Sequence, residues 1–239
     1  MINTQKIGTL LLLFFLGTSV FGQTWFELGI KGGPATTMLL SQNIFDDVRY
    51  DHVLTPTYFG AGKIGINFGE YNGIAFQGGI SKLRQQFNNN YELKTFDERL
   101  VEADITEFAV FFHRTKESGY FEIGPRINLV KNPTSSDYGA INANYNLSSD
   151  IYTSYYGADI GFGAYVIGND HLTLMTGFRF SYGITPISDD ERPFIPFNAI
   201  YQNEKNVHVL TAMLAIELNY SLGYLVRSTC GNRVTWISF

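Results

Sequence analysis

The chain has 239 residues, of which 45 % are hydrophobic, 15 % aromatic and 16 % charged, with a formal net charge of -5. Charged residues make up about a quarter of an ordinary soluble domain, so this composition suits a water-exposed globule poorly, and its mild acidity disfavours a nucleic-acid partner. No apolar run of about 18 residues or more follows residue 22, which excludes a helical membrane protein, and the single cysteine, Cys230, excludes an intramolecular disulfide.

Residues 1–22, MINTQKIGTLLLLFFLGTSVFG, carry one lysine, an apolar stretch from Ile7 to Leu16 and then small residues. Val20 and Gly22 stand where a signal peptidase reads a cut before Gln23, so a secretory signal peptide is expected. The residue directly after the cut is Gln23 and not a cysteine, which excludes the usual acylated lipoprotein. Losing Lys6 takes the formal charge from -5 to -6.

From residue 24 onward the pattern has period two, the mark of strands with unlike faces. Eight segments carry it in chain order. WFELGIKGG (25–33) sets Phe26, Leu28 and Ile30 against Glu27, Gly29 and Lys31. YFGAGKIGINF (58–68) sets Ile64, Ile66 and Phe68 against Ala61, Lys63 and Asn67, and GIAFQGGIS (73–81) sets Ile74, Phe76 and Ile80 against Ala75 and Gln77. The fourth and fifth flank RTKESG: Phe108, Val110 and Phe112 alternate with Glu107, Ala109 and Phe111, then Phe121, Ile123, Ile127 and Leu129 with Glu122, Gly124, Arg126 and Asn128. In the sixth, Ile160, Phe162 and Val166 oppose Asp159, Gly161 and Gly163. The seventh sets Leu172, Leu174, Phe178 and Phe180 against Thr173, Gly177 and Arg179. The eighth sets Leu214, Ile216 and Leu218 against Ala215, Glu217 and Asn219.

Three connections are short (GEYN, RTKESG, GNDH), and the four between them are long and rich in Asn, Asp, Ser and Pro. Short turns at one end, long loops at the other and an even strand number predict an all-β fold: an eight-stranded antiparallel up-and-down transmembrane β-barrel over residues 23–225. Residues 226–239 form a tail or the end of the closing strand. A soluble barrel would share the periodicity, with its apolar face inward. Two features favour the inverted arrangement. The polar face mixes Gly and Ala with charges, as a narrow lumen needs, and aromatics gather at segment ends: Trp25, Phe26, Tyr58, Phe68, Tyr120, Phe121, Tyr155, Tyr156, Tyr182 and Tyr220.

Across the eight segments the polar face carries Lys31, Lys63, Arg126 and Arg179 against Glu27, Glu107, Glu122, Asp159 and Glu217. Such near-neutrality fits a packed, closed lumen, because unpaired buried charge is costly, whereas a conducting pore favours one sign. If RTKESG turns so that His113 faces Tyr120, Glu107 lies directly opposite Arg126 and forms a cross-strand ion pair.

The chain resembles the PorT-like outer-membrane β-barrel proteins of the Bacteroidota in LGIKGG (28–33), in TEFAVFFHR followed by FEIGPRINLV, in FRFSYGITPI (178–187) and in NYSLGYL. The resemblance implies an eight-stranded barrel in the outer membrane and little about activity. The tail VRSTCGNRVTWISF departs from chains of this kind that stop near Leu225. Its terminal Phe239 resembles the aromatic end that barrel-assembly machinery reads, so either the eighth segment or the tail closes the barrel.

Of the four histidines, His52 and His208 lie near the long loops, within sequence reach of Asp51 and Glu204, but no serine nucleophile motif accompanies them. A non-enzymatic protein without a cofactor is expected. The acidic clusters Asp46-Asp47 and Asp189-Asp190-Glu191 match no calcium loop and read as solvated acids. Alternation at the inner ends of the second and fourth long loops suggests that strands three, four, seven and eight project beyond the membrane, with Phe96, Phe194, Phe197 and Tyr201 as candidate partner contacts. The expected partners are outer-membrane lipid, lipopolysaccharide and other outer-membrane or secretion-complex proteins. A small ligand-binding or transport barrel is the alternative.

Overall fold

A computed structural model of the chain describes residues 24–47, 49–68, 71–90, 96–116, 118–140, 142–168, 171–189 and 205–224. The expected signal peptide and the tail from 226 lie outside these residues, as do Asp190, Glu191, Phe194, Phe197, Tyr201 and Glu204. The described elements are β1 (Thr24–Leu40), α1 (Gln42–Asp46), β2 (Tyr50–Val53), β3 (Pro56–Phe68), β4 (Asn72–Asn89), β5 (Glu98–Lys116), β6 (Gly119–Tyr138), β7 (Ala143–Asn146), β8 (Ser154–Gly168), β9 (Leu172–Gly183) and β10 (His208–Tyr224).

All pairings are antiparallel, and β1 pairs with β3 on one side and with β10 on the other. With β4 also paired to β5, the strands β1, β3, β4, β5, β6, β8, β9 and β10 close into a ring. The expected eight-stranded barrel is therefore present, and each alternating segment lies within one of its staves. The two short strands extend staves rather than adding new ones: β2 pairs with β4 above the end of β3, and β7 pairs with β6 above the end of β8.

Several staves run well past the segments visible as alternation, because the sign of the alternation reverses part-way up. On β5, the inward side chains His113, Phe111, Ala109 and Glu107 oppose outward Phe112, Val110 and Phe108, whereas farther up Ile105, Ala103 and Val101 point in and Asp104 and Glu102 point out. The same reversal lets Leu83 and Phe87 on β4, and Leu39 on β1, join Val101, Ile105, Val130, Val209 and the loop residues Leu147, Ile151 and Ile187 in one apolar core at the long-loop end. The lower half is built the other way round. Its outer surface is an apolar belt, with Ile30 65 %, Ile80 61 % and Ile216 55 % exposed, while the charged residues face the lumen. Water outside and a packed core inside explain the upper half; the lower half has the inverted pattern of a barrel surrounded by hydrocarbon.

Two expectations are corrected here and a third is met in part. Trp25, Tyr120 and Tyr155 do not stand in an outer girdle: they are buried inside, while Phe26, Tyr58, Phe121, Tyr156, Tyr182 and Tyr220 point outward. The third and fourth staves, β4 and β5, project as expected, and the fifth, β6, projects with them; among the described residues β9 ends at Gly183 and only the bridge between Ser188 and Val207 continues it. The hairpin at RTKESG is tighter than expected. Lys116 pairs with Gly119, so His113 faces Glu122, Glu107 faces Asn128 and Arg126 faces Ala109. That is a slip of two residues, which leaves every side chain on its own face and is therefore invisible to the alternation.

Two Gly-Pro pairs interrupt ladders where strands come close. Pro34 and Pro125 lack the N–H a ladder needs, and pairing skips the positions around them. A Cβ on Gly33 would meet the Leu214 carbonyl oxygen at 2.1 Å and one on Gly124 the Val110 oxygen at 1.9 Å. Since backbone, not a flexible side chain, occupies both places, Gly124→Val is expected to prevent barrel closure. The check is the loss of the compact, heat-modifiable band that folded barrels show on unheated gels, with Gly62→Val, whose Cβ would meet nothing within 4 Å, retaining it.

Candidate functional site

The polar faces of the lower staves converge on the barrel axis, and every stave contributes. Glu27 and Lys31 come from β1, Lys63 from β3, Gln77 from β4, Glu107 from β5, Glu122 and Arg126 from β6, Asp159 from β8, Arg179 from β9 and Glu217 from β10, all buried. The pleat explains why: each occupies an alternate position on a strand whose other face is apolar.

Lys31 sits between two carboxylates, 3.0 Å from Glu122 and 2.5 Å from Glu217. Lys63 likewise bridges Glu217 and Glu27, the latter at 2.8 Å. The Arg179 guanidinium reaches Glu122 at 2.7 Å, donates to the Gln77 side-chain oxygen Oε1 at 2.9 Å and lies 4.4 Å from the centre of the Phe111 ring. Gln77 passes the connection on, its amide nitrogen donating to Glu107 at 3.2 Å. Arg126 then joins Glu107 at 3.1 Å and Asp159 at 3.4 Å. Glu107 and Arg126 thus meet as expected from their shared face, but diagonally rather than directly opposite, within the reach of long side chains. Lys31, Lys63 and Arg179 balance Glu27, Glu122 and Glu217; Arg126 faces both Glu107 and Asp159.

Gln77 was not among the charged residues singled out from the sequence, although its place on the polar face of the third segment marks it. Nor were Asn67, which meets His113 at 2.5 Å, and Asn219, which donates to Glu217 at 2.8 Å. Uncharged amides give no charge signal, but here Gln77 and Asn219 add hydrogen bonds to the buried ions Glu107, Arg179 and Glu217. Beneath the network lies a cavity of about 20 Å³ bounded by Trp25, Glu27, His113, Tyr120 and Thr173, with room for about one water molecule. Above the network sits the apolar core around Leu39, Phe87 and Val101. Among the described residues, side chains thus occupy the lumen both at the level of the ion pairs and above it.

The other candidates are held in structural contacts. His52 packs between Phe45 and Phe87, at ring separations of 4.9 and 5.3 Å, while the neighbouring Asp51 carboxylate accepts from Asn90 at 2.6 Å. His208 meets the Gly183 carbonyl oxygen at 2.9 Å and stacks on Tyr182. Asp47 is not a solvated acid. Arg49 forks onto it at 2.7 and 2.5 Å, and although burial would raise its carboxyl, the side-chain and backbone bonds from Arg49 hold it below the ordinary aspartate value. Among the described residues no cluster of three or more His, Cys, Asp or Glu forms a metal site. Phe96 lies 4.1 Å under the Arg99 guanidinium and beside Tyr50, and Arg99 forks onto Asp137 directly across the ladder at 2.6 and 2.7 Å. Phe96 is half-buried among these contacts.

Glu217 is the carboxylate shared by both lysines, and removing it leaves two buried cations short of a partner. Glu217→Ala is expected to destabilise the barrel by about 3–5 kcal/mol, read as a lower urea midpoint for unfolding in detergent. Glu102→Ala, which removes a half-exposed partner of Lys82 and Arg84, is expected to cost about 1 kcal/mol or less.

No known family model matches the chain, and no curated protein sequence matches it. Solved structures do. Ail, the attachment invasion locus protein of Yersinia pestis, solved with the heparin analogue sucrose octasulfate, is similar at 10% identity over 82% of this chain and 99% of its own, with a TM-score of 0.39. The outer-membrane protein OprG of Pseudomonas aeruginosa is similar at 11% identity over 83% of this chain and 98% of its own, with a TM-score of 0.39. The outer-membrane protein AlkL, solved in lipid bilayers, is similar at 11% identity over 87% of this chain and 94% of its own, also with a TM-score of 0.39. This chain is an antiparallel eight-stranded β-barrel.

Proposed function

We propose that this chain is an outer-membrane barrel that conducts nothing and catalyses nothing, and that it serves as a structural or accessory subunit of an envelope or secretion assembly. The observation that carries this reading is the pairing of a continuous apolar belt with a lumen closed twice over, by ion pairs below and by an apolar core above. The belt supports insertion into hydrocarbon, because leaving so many large apolar side chains in water would be costly. The filled lumen supports a role on the surfaces rather than through the middle. The short turns then face the periplasm and the long loops the outside, after removal of residues 1–22. The resemblance of LGIKGG and FRFSYGITPI to PorT-like barrels supports an outer membrane of the Bacteroidota.

A planar lipid bilayer tests the closed lumen. Purified protein is expected to insert without discrete conductance steps, and stable ion-selective channels would overturn the reading. Affinity capture from detergent-solubilised membranes tests the subunit role: a stoichiometric envelope partner is expected, and a chain that is monomeric and alone in gently solubilised membranes counts against it.

A further inference from the structure

The outer surface is not uniform around the barrel. At the upper edge of the apolar belt, β3, β8 and β9 present Tyr58, Tyr156 and Tyr182. The sector formed by β4, β5 and β6 presents charges instead. Lys82 pairs across the ladder with Asp104, and Asp104 with Lys131, so the three form one row over three strands. Arg84 and Glu102 pair in the next position up.

This row is arranged to leave cationic capacity facing outward. A bulge on β6 shifts the register between Glu102 and Asp104, and Asn132 takes a positive φ of 50° there. Bulges of this kind re-aim side chains, and here Lys131 and Asn132 are both exposed in succession. The Asn132 amide donates to Asp104 at 3.1 Å. Among the described residues no carboxylate lies within ion-pair distance of Lys131. Lys82 and Arg84 share a single carboxylate, Glu102, at 3.5 and 3.0 Å. Three cations thus stand over two carboxylates, one shared and the other already engaged by an amide.

Directly beneath the same sector the lipid-facing surface is hollow. Gly78 pairs with Phe108 and Phe108 with Ile127 two rows below Lys82 and Lys131, about 13 Å down the strands. A Cβ on Gly62 would meet nothing within 4 Å, and one on Gly78 only the Phe108 ring at 3.7 Å. Those absent side chains leave an apolar hollow walled by Ile64, Phe76, Phe108 and Ile127. A cationic rim above an apolar hollow is complementary to an amphiphile with a phosphate head and hydrocarbon tails. At the long-loop end of an outer-membrane barrel, that amphiphile is a phosphorylated glycolipid of the outer leaflet.

We propose that the β4–β5–β6 sector is a specific binding site for the phosphorylated lipid anchor of lipopolysaccharide, its phosphate held by Lys131, Lys82 and Arg84 and an acyl chain seated over Gly62 and Gly78. The proposal rests on the outer-membrane reading and names a partner for it.

The test uses the folded mature chain in detergent, titrated with bis-phosphorylated lipid A or with the same lipid stripped of phosphate, and native mass spectrometry to count bound lipids. One tightly held phosphorylated lipid is expected, with the stripped lipid bound about tenfold or more weakly. The pair Lys82→Gln and Lys131→Gln is expected to weaken binding by a similar factor, since each cation near a membrane surface contributes about fivefold. Gly62→Leu with Gly78→Leu, which fills the hollow without touching the charges, is expected to weaken it as well. Equal affinity for the stripped lipid, or no effect of the lysine pair, overturns the site; no effect of the glycine pair overturns the seat for the acyl chain. Liposome flotation separates the two levels. A chain that does not insert refutes the outer-membrane reading and the site together, whereas one that inserts but shows no preference for phosphorylated lipid refutes the site alone.

Discussion

Everything in this barrel depends on the neutralisation of charge inside a closed sheet. Once β1 has paired with β10, no edge remains and the inward face of every stave must be filled by what that face carries. In the lower half it carries ions, and an ion removed from water is tolerated only when opposite charge and hydrogen bonds replace the water. Lys31, Lys63 and Arg179 therefore interlock with Glu27, Glu122 and Glu217, and Gln77 couples them to Glu107 and Arg126. These contacts tie staves far apart in the ring, so the network braces the barrel across its interior as well as filling it.

The upper half meets the same demand by different means. Beyond the belt the outward faces turn polar, and the alternation reverses so that Leu83, Phe87, Val101 and Ile105 pack inward. The barrel is thus two structures on one set of strands, an inverted one below and an ordinary one above. Their junction on β5 falls between Ile105 and Glu107. The outward charges Lys82, Asp104 and Lys131 begin at that height, so the rim of the belt is where the outer surface changes from apolar to charged.

Legibility in the sequence followed the same division. Segments such as 107–113 stood out because one face was apolar and the other charged, and they ended where the pattern reversed, so the upward extension of β4, β5 and β6 was partly missed. Trp25, Tyr120 and Tyr155 were read as outer aromatics because they lie at segment ends. Parity puts each of them on the inward face, beside Glu27, Glu122 and Gly157 respectively, and that is where they are buried. The bulge at Asn132 left no mark in the alternation either, since its cause is a backbone conformation rather than a residue pattern.

The amino-acid sequence by itself determined the number of staves, their order and which side chains share a face, because the pleat makes parity a local property of the chain. Only the tertiary structure decided the register and the partners. A slip of two residues preserves every face, so alternation alone could not distinguish Asn128 from Arg126 as the residue opposite Glu107. Lys31 and Glu122 lie on staves distant in sequence and meet only because closure brings them to one axis.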